Sequence, residues 1–221
     1  MSNILILPDM HYPFQHPDTT DIVRDAIKYY DIDEVLCTGD LLDGYYASLY
    51  KKSPHSQSAS QELKASIKNL KSLYRVLGDL PVKIAIGNHD IRHMKRAFEA
   101  NLPAELFLEL KALIEAPAHW KFADKFRLPG NIIMEHGEGY SGQSAPMNLI
   151  KNLRANAIIG HLHSQFSITY HNNGDKCLWA MICGCLIDID SYAFEYGRAF
   201  KDKPICGFGI ISDRTPILIP V

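Results

Sequence analysis

The amino-acid sequence predicts an α/β fold in which two packed β-sheets are flanked by helices. In the N-terminal part, short apolar runs alternate with helical segments, which is typical of parallel strands joined by helices. In the C-terminal part, short segments rich in β-forming residues dominate. Neither an internal repeat nor a low-complexity linker divides the chain, so we predict one domain over residues 1–221.

The first elements form a β–α–β unit. Residues 3–7 are a short apolar run, which is typical of a buried strand, and Pro17 and Asp18 precede a helical segment. Residues 34–38 form the next predicted strand. A helical crossover of this kind joins parallel strands, so we expect these two strands to be parallel.

A second crossover follows, with a helix predicted over residues 58–77 and a strand over residues 82–86. Each of the three predicted strands is followed by a polar cluster. The clusters are residues 9–11, 39–43 and 87–90. Since ligands of open α/β sheets bind at the carboxyl ends of the strands, the three clusters predict a site at one edge of the sheet.

The remaining chain has two helical regions and several short strands. A helical region is predicted over residues 93–114, with a break near Pro103, and a helix over residues 145–153. The predicted strands are residues 121–128, 132–136, 157–159, 166–170, 177–182, 208–211 and 217–219.

Composition excludes several classes of protein. Hydrophobic residues make up 47% and charged residues 22% of the chain, which is the profile of a globular rather than a disordered protein. The net charge of −2 provides no overall attraction to nucleic acid or anionic lipid. The sequence has no membrane span and no recognisable export signal, so we expect a cytoplasmic protein without a membrane partner, and the oligomeric state stays unknown.

The five cysteines are odd in number and lack the paired spacing of structural zinc sites. We interpret them as reduced, buried thiols. Cys183 and Cys185 also allow a metal or redox pair, although alternation along a strand explains their spacing more simply.

Five short clusters carry the residue types that bind borderline divalent metals, namely carboxylate, imidazole and amide. The clusters are Asp9-Met10-His11, Gly39-Asp40-Leu41-Leu42-Asp43, Gly87-Asn88-His89-Asp90, Glu135-His136-Gly137 and Gly160-His161-Leu162-His163. Together and in this order they resemble the calcineurin-like metallophosphoesterase superfamily. The resemblance implies a four-layer αββα sandwich of two mixed sheets and the hydrolysis of phosphoesters. Compact stand-alone members, phage-encoded ones included, are similar in length.

The resemblance also implies seven metal ligands: Asp9, His11, Asp40, Asn88, His136, His161 and His163. In this pattern Asp40 bridges two divalent ions, of which Mn²⁺ is preferred over Fe, Zn, Ni or Co. Asp9, His11 and His163 complete one ion's ligands, and Asn88, His136 and His161 complete the other's. In an extended chain, alternation would direct His161 and His163 to different ions.

The superfamily places a catalytic proton donor or charge stabiliser at the position of His89. Asp90 has two interpretations: a carboxylate that sets the tautomer of His89, or the N-cap of the helix that follows. We hypothesise that a hydroxide bridging the two metals attacks phosphorus in line while His89 assists the leaving oxygen.

Protein phosphatases of the superfamily carry an arginine immediately after the second aspartate of the Gly39–Asp43 block, where this chain has Gly44. This difference favours a phosphodiesterase or nuclease acting on nucleotides or nucleic-acid ends. The alternatives are a phosphomonoesterase and a non-catalytic metal-binding interaction module. Asp43 either supports the site or is a solvated loop residue.

Other residues near the clusters have two interpretations. The basic residues Arg92, His93, Lys95 and Arg96 either hold a phosphate backbone or form a solvated helix face. Four tyrosines flank the metal clusters and either stack on a substrate ring or pack in the core. They are Tyr45, Tyr46, Tyr50 and Tyr140. Residues 183–200 are expected to fold over the cleft.

Overall fold

The computed structural model describes residues 2–49 and 51–221, except for the side chains of Tyr196 and Arg198. The strands are β1 (Asn3–Leu7), β2 (Glu34–Cys37), β3 (Val82–Ala85), β4 (Lys121–Ala123), β5 (Lys125–Leu128), β6 (Ile132–Glu135), β7 (Asn156–Ile159), β8 (Phe166–Asn172), β9 (Cys177–Cys183), β10 (Gly207–Ser212) and β11 (Thr215–Pro220). The α-helices are α1 (Thr19–Tyr30), α2 (Ala59–Leu77), α3 (Arg92–Glu99), α4 (Leu110–Leu113) and α5 (Ala145–Leu153). Short 3-10 helices span Tyr45–Ala47, Ala104–Leu106 and Tyr192–Ala199.

The strands form two mixed sheets, as the sequence predicted. The first sheet has the order β11-β10-β1-β2-β3-β4, in which β1 to β4 are parallel and β10 and β11 are antiparallel additions. The second sheet has the order β5-β6-β7-β9-β8, with β6, β7 and β9 parallel. The parallel pairing of β1, β2 and β3 confirms the two predicted crossovers.

Hydrophobic residues arrange these elements in four layers. Helices α1 and α2 cover the outer face of the first sheet, and α5 covers the outer face of the second. Between the sheets lies a core built from alternate residues of both, which are Ile6, Leu36, Ala85, Met134, Ile158, Met181 and Cys183 among others. Because alternate side chains of a strand point to opposite faces, each inner strand contributes to two cores at once. The αββα sandwich is therefore confirmed.

The helices begin and end where local signals place them. Helix α2 starts after Ser58, whose hydroxyl accepts the Gln61 backbone N–H while the Gln61 side chain accepts that of Ser58. This reciprocal pair satisfies backbone donors at the helix start. Helix α1 ends at Asp31, which adopts a left-handed conformation. The predicted bounds of α2 and α5 and the predicted start of α1 are close to the observed ones.

Two predicted elements were wrong. The single strand over residues 121–128 is split at Asp124, because β4 extends the first sheet and β5 begins the second. The helical region over residues 93–114 consists of α3, a 3-10 turn and the four-residue α4. Both errors have one cause, since local composition does not report which sheet or core a segment joins.

The cysteines are free thiols, but they are not all buried. Cys37, Cys183 and Cys185 are buried, whereas Cys177 is exposed and Cys206 is half-buried. Strand alternation does not continue through Cys183 and Cys185, because the intervening Gly184 has a positive φ of 67°. The backbone of Cys185 instead pairs with that of Cys206 in an isolated parallel β-bridge, without a disulfide bond.

Candidate metal centre

The five predicted clusters meet at one edge of the sandwich. Three of them follow β1, β2 and β3 of the first sheet, and two follow β6 and β7 of the second. Three of the residues in these loops have left-handed backbones, namely His11 (φ 50°), Asp40 (φ 49°) and His161 (φ 65°). For non-glycine residues this conformation costs about 1 kcal/mol or more, and such strain is concentrated at functional sites.

The first group of side chains that could hold a metal contains Asp9, His11 and His163, whose potential ligand atoms all lie within 4.8 Å of one another. His163 Nε2 is 3.1 Å from Asp9 Oδ2 and 3.2 Å from His11 Nε2. Asp9 and His11 are fully buried. Burial and the charge of His89 lower the pKa of His11 to about 4, against a smaller opposing contribution from Asp43, so the His11 ring is neutral and has a free lone pair.

A hydrogen bond fixes the orientation of the His11 ring. His11 Nδ1 lies 3.0 Å from Asp43 Oδ2 and donates its proton there, which directs Nε2 to His163 and Asp40. Asp43 is 2% exposed, so the interpretation of Asp43 as a solvated loop residue was wrong. Carboxylates that accept the second N–H of a ligating histidine hold its ring and raise its basicity.

Asp40 lies between the two groups. Its Oδ2 is 3.6 Å from His11 Nε2 on one side and 3.3 Å from His136 Nε2 on the other. Its Oδ1 accepts the backbone N–H of His89 at 2.8 Å, which orients the carboxylate. Burial alone would raise the pKa of Asp40, but the charges of His89 and His136 lower it well below its usual range. An ionised carboxylate in this position is suited to bridging two cations.

The second group contains His136, Asn88 and His161. His136 Nε2 is 2.9 Å from Asn88 Oδ1 and 3.2 Å from His161 Nδ1, and His136 Nδ1 donates to the carbonyl of Thr38 at 2.9 Å. With the proton on Nδ1, the lone pair of His136 Nε2 lies close to both Asn88 Oδ1 and His161 Nδ1. His161 and His163 thus point to different groups, as predicted. The cause is the left-handed backbone of His161 and not the alternation of an extended strand.

The electrostatics of this group are those of a cation site. Burial would lower the pKa of His136, but the charge of Asp40 and its hydrogen bond raise that pKa to about 10. In the protein without metal, a second proton on His136 therefore offsets the buried negative charge. A divalent cation at the same point provides the positive charge without that proton, so the donor set fits a metal.

Two glycines leave room for the buried carboxylates. A Cβ added to Gly87 would overlap Asp40 Oδ1, and one added to Gly160 would overlap Asp9 Oδ1. Neither glycine has a positive φ, so close approach and not backbone conformation is what requires glycine here. The structure thus brings all seven predicted ligands together, and their role as ligands stays a prediction.

His89 contacts both the metal-binding residues and a nearby arginine. Its Nε2 is 3.9 Å from Asp40 Oδ2 and accepts an N–H from Arg92 at 2.7 Å, while its Nδ1 donates to the Asp43 carbonyl at 3.0 Å. Burial lowers the pKa of His89, the charges of Asp40 and Asp43 raise it, and the net change is upward. The bond from Arg92 requires an unprotonated Nε2, whereas the raised pKa favours a cationic ring in the metal-free protein, so Arg92 and a second proton compete for Nε2.

Asp90 has neither of its predicted roles. Its two oxygens accept the backbone N–H groups of Leu42 and Gly87, both at 2.9 Å, and the cap of α3 is Ile91. Burial and the charge of Asp40 raise the pKa of Asp90 to about 7. Asp90 joins two of the metal-cluster loops, and Asp43 rather than Asp90 contacts the His89 ring.

Two cavities meet at His89. One, of about 500 Å³, is lined mostly by polar residues, among which the cationic Lys51, Lys52 and Arg92 outnumber the anionic Asp43 and Glu195. The other, of about 590 Å³, has apolar walls that include Ile187, Ile189, Phe194 and Phe200 together with Asp40 and His163. The 3-10 helix Tyr192–Ala199 lines both, as expected for residues 183–200.

Some of the tyrosines and basic residues near the site pack against the protein, and others line a cavity. Tyr45 is 7% exposed and packs against Phe14 and Tyr192, so its role is in the core, and Tyr50 lies outside the described residues. Arg96 bonds the carbonyls of Ala47 and Ser48.

The other basic residues of α3 are also paired. His93 lies against Leu108, and Lys95 pairs with Glu138. Of the four basic residues predicted to form a cluster here, Arg92 is the one whose side chain contacts His89.

The sequence interpretation missed two buried residues that support the site. The Thr38 hydroxyl donates to Asp9 Oδ1, and its carbonyl orients His136. Glu62 accepts the backbone N–H groups of Tyr45 and Tyr46 and is 1% exposed. Helical spacing contains a signal for Glu62, because it shares the buried face of α2 with Ser66, Leu70, Leu73 and Leu77.

A pair of mixed sheets with carboxylates and imidazoles converging at the strand ends defines an α/β protein with a candidate metal centre. The sequence profile of the calcineurin-like phosphoesterases matches residues 2–179, so the chain belongs to the calcineurin-like phosphoesterase family. Members of this family typically bind divalent metals, and membership implies a phosphoester substrate.

Several solved structures are similar in overall course. A phosphoesterase from E. coli, Yfce, is 10% identical over 99% of this chain and 98% of its own, with a TM-score of 0.47. A metallophosphoesterase from Sphaerobacter thermophilus is 15% identical over 100% and 88%, with a TM-score of 0.47. Vacuolar Protein Sorting 29 from Cryptosporidium parvum is 12% identical over 99% and 95%, with a TM-score of 0.47. Likenesses this distant do not identify a substrate. No curated protein matches the chain.

Proposed function

We propose that the protein is a metal-dependent phosphodiesterase acting on nucleotides or nucleic-acid ends. The observation that supports this most directly is the convergence of two groups of ligand atoms on one buried carboxylate, Asp40. Asp9, His11 and His163 would hold one divalent ion, and Asn88, His136 and His161 the other, with Mn²⁺ as the preferred metal. Two such cations lower the pKa of water and neutralise charge that develops on phosphoryl oxygens.

The protein contributes orientation and proton transfer. Asp43 and Thr38 fix the rings of His11 and His136, so little reorganisation accompanies substrate binding. His89 borders both cavities and lies beside Asp40, which suits it to donate a proton to the leaving oxygen. For that role Nε2 must carry the proton, so Arg92 must first release it.

The two cavities favour a diester over a monoester. A phosphodiester has two organic substituents, and here a polar, cationic cavity and an apolar cavity lie on either side of His89. The apolar walls around Phe194 and Phe200 suit a ring, and the lysines of the other cavity suit an anionic group. A nucleotide combines both features.

The test is hydrolysis by the purified, manganese-loaded protein. We expect turnover of bis-p-nitrophenyl phosphate, with cyclic nucleotides and single-stranded DNA identifying the natural class, and p-nitrophenyl phosphate as the monoester comparison. His89→Ala should lose turnover while keeping its bound manganese, and Asp40→Asn should lose both. Full activity of His89→Ala would contradict the proton-donor role.

A phosphomonoesterase is the second candidate, because the guanidinium of Arg92 beside the site would favour a dianionic phosphate. Turnover of p-nitrophenyl phosphate alone would support this candidate and overturn the diester preference. Manganese binding without hydrolysis of any phosphoester would instead indicate a non-catalytic metal-binding module.

A further inference from the structure

Arg92 reaches the metal centre over a residue that has no side chain. The position of a Cβ on Gly44 would lie 3.5 Å from both Cβ and Cδ of Arg92, so the arginine stem packs directly above this glycine. Gly44 also has a left-handed backbone, with a φ of 64°. A Cβ at position 44 would be in van der Waals contact with this stem and 3.3 Å from the His89 carbonyl oxygen, and it would need the left-handed backbone, so glycine is the residue that allows this path of Arg92 without strain.

The guanidinium group of Arg92 is held at the site and retains unused donors. It donates to His89 Nε2 at 2.7 Å and to the Asp43 carbonyl at 3.0 Å, and it lies 3.5 Å from Asp43 Oδ1. A guanidinium has five N–H donors, so these two hydrogen bonds leave three. Its side chain is 20% exposed and forms part of the wall of the cationic cavity.

Arg96, one turn later on α3, shows the contrast. Its Nε and NH2 donate to the carbonyls of Ala47 and Ser48, at 2.8 and 2.9 Å, and its NH1 pairs with Glu99. All three of its nitrogens therefore have a protein partner. Arg96 fastens α3 to the 3-10 helix Tyr45–Ala47, whereas Arg92 lines the cationic cavity together with Asp43 and His89.

We propose that Arg92 binds the non-bridging oxygens of the substrate phosphate. Guanidinium matches two phosphate oxygens with two parallel N–H bonds, and a partly buried position strengthens them. The proposal rests on the proposed function for the identity of the substrate. It also changes the meaning of Gly44: the absence of an arginine after Asp43 does not leave the site without a phosphate clamp, because α3 provides one.

The experiment measures binding of inorganic phosphate to the manganese-loaded protein by calorimetry, in the wild type, Arg92→Gln, Arg92→Lys and the control Arg96→Gln. We expect phosphate to bind roughly ten- to a hundredfold more weakly to Arg92→Gln, with Arg92→Lys intermediate. Arg96→Gln should bind phosphate like the wild type at unchanged manganese content. Circular dichroism and metal analysis establish that each variant is folded and loaded.

Kinetics provide a second measurement on the substrate that the wild type hydrolyses. Arg92→Gln should have a raised KM, and millimolar guanidinium chloride should partly restore activity to Arg92→Ala but not to His89→Ala. Phosphate affinity in Arg92→Gln equal to that of the wild type, or loss of the same size in Arg96→Gln, would overturn the proposal. Wild-type protein that binds phosphate through Arg92 but hydrolyses no ester would overturn the proposed function and leave this inference intact.

Discussion

Asp43 and Asp90 both lie in loops that carry predicted metal ligands and are both buried, yet they have different contacts. Asp43 contacts two imidazole rings, so its charge bears on the metal centre. Asp90 receives two backbone N–H groups, so it bears on the relative position of the loops. Their sequence contexts do not separate these roles, since each aspartate simply ends a polar cluster.

The contact between the side chains of Asp43 and His11 leads to a prediction about a single residue. Asp43→Asn removes the charge that holds the His11 ring, so manganese affinity should fall about 10- to 100-fold. Calorimetric titration with manganese measures the change. Asp175→Asn, in an exposed loop, is the control and should bind metal normally. Equal affinities in Asp43→Asn and the wild type would show that Asp43 does not orient His11.

The second prediction concerns the glycines in the loops that follow β3 and β7. At these positions a glycine lets the loop backbone approach a buried carboxylate. In Gly87→Ala or Gly160→Ala the new methyl group overlaps Asp40 or Asp9, so the carboxylate must move and bound manganese should be lost. Elemental analysis measures the metal, and circular dichroism checks the fold.

Gly197→Ala is the matched control for those variants, because among the described side chains that are not its chain neighbours only Phe200 would come near its Cβ, with Cδ2 at 3.8 Å, and its φ is ordinary. Full metal content in the two loop variants would mean that the carboxylates tolerate displacement. Loss of metal in the Gly197 control would show that alanine acts in some other way.

Glu62 connects α2 to the 3-10 helix Tyr45–Ala47, and this connection has a pH dependence. Burial and the charge of Asp43 raise the pKa of Glu62 to about 7. Because this pKa is above the unfolded value of about 4.3, the folded state holds the proton more tightly. The stabilisation is complete below the unfolded pKa and is lost as pH rises through about 7.

We therefore expect the free energy of unfolding of the metal-free protein to fall between about pH 5 and pH 8 by more in the wild type than in Glu62→Gln. Urea denaturation at the two pH values measures the slope. Glu105→Gln, at an exposed position, should leave the slope unchanged. Parallel curves for the wild type and Glu62→Gln would show that Glu62 does not titrate in this range.

At the scale of the whole molecule, the metal centre joins the two sheets. Asp9 and Asp40 follow strands of the first sheet, whereas His136, His161 and His163 follow strands of the second. Within the described part of the chain, no helix has the length and apolar character needed to cross a membrane. The continuous core between the sheets makes each sheet depend on the other for burial.

This arrangement predicts one unfolding transition that shifts to higher temperature with manganese. At saturating metal the melting temperature should rise by about 5 to 10 °C, because ligation stabilises only the folded state. Calorimetry with and without a chelator measures the shift. Asp40→Asn should lose it, and Asp21→Asn, on the exposed face of α1, should keep it. Two separate transitions would contradict the prediction of one domain.

The sequence by itself determined the two-sheet architecture and the crossover connections, which depend on local signals such as apolar periodicity and helix caps. The seven predicted ligands came from the resemblance of the five clusters to the calcineurin-like metallophosphoesterases, and the structure brings these residues together. The same local signals cannot assign segments to sheets, which is why the run over residues 121–128 was read as one strand and not as β4 and β5.

Tertiary structure alone decided which side chains meet across the loops. Arg92 contacts His89, Asp43 contacts His11, and Asp90 receives backbone donors from other residues, although each looked equally suited to several roles in the sequence. A long polar side chain can reach several partners, and the choice is made by burial and by the distances between loops that are far apart in the chain. Those distances exist only once both sheets have packed.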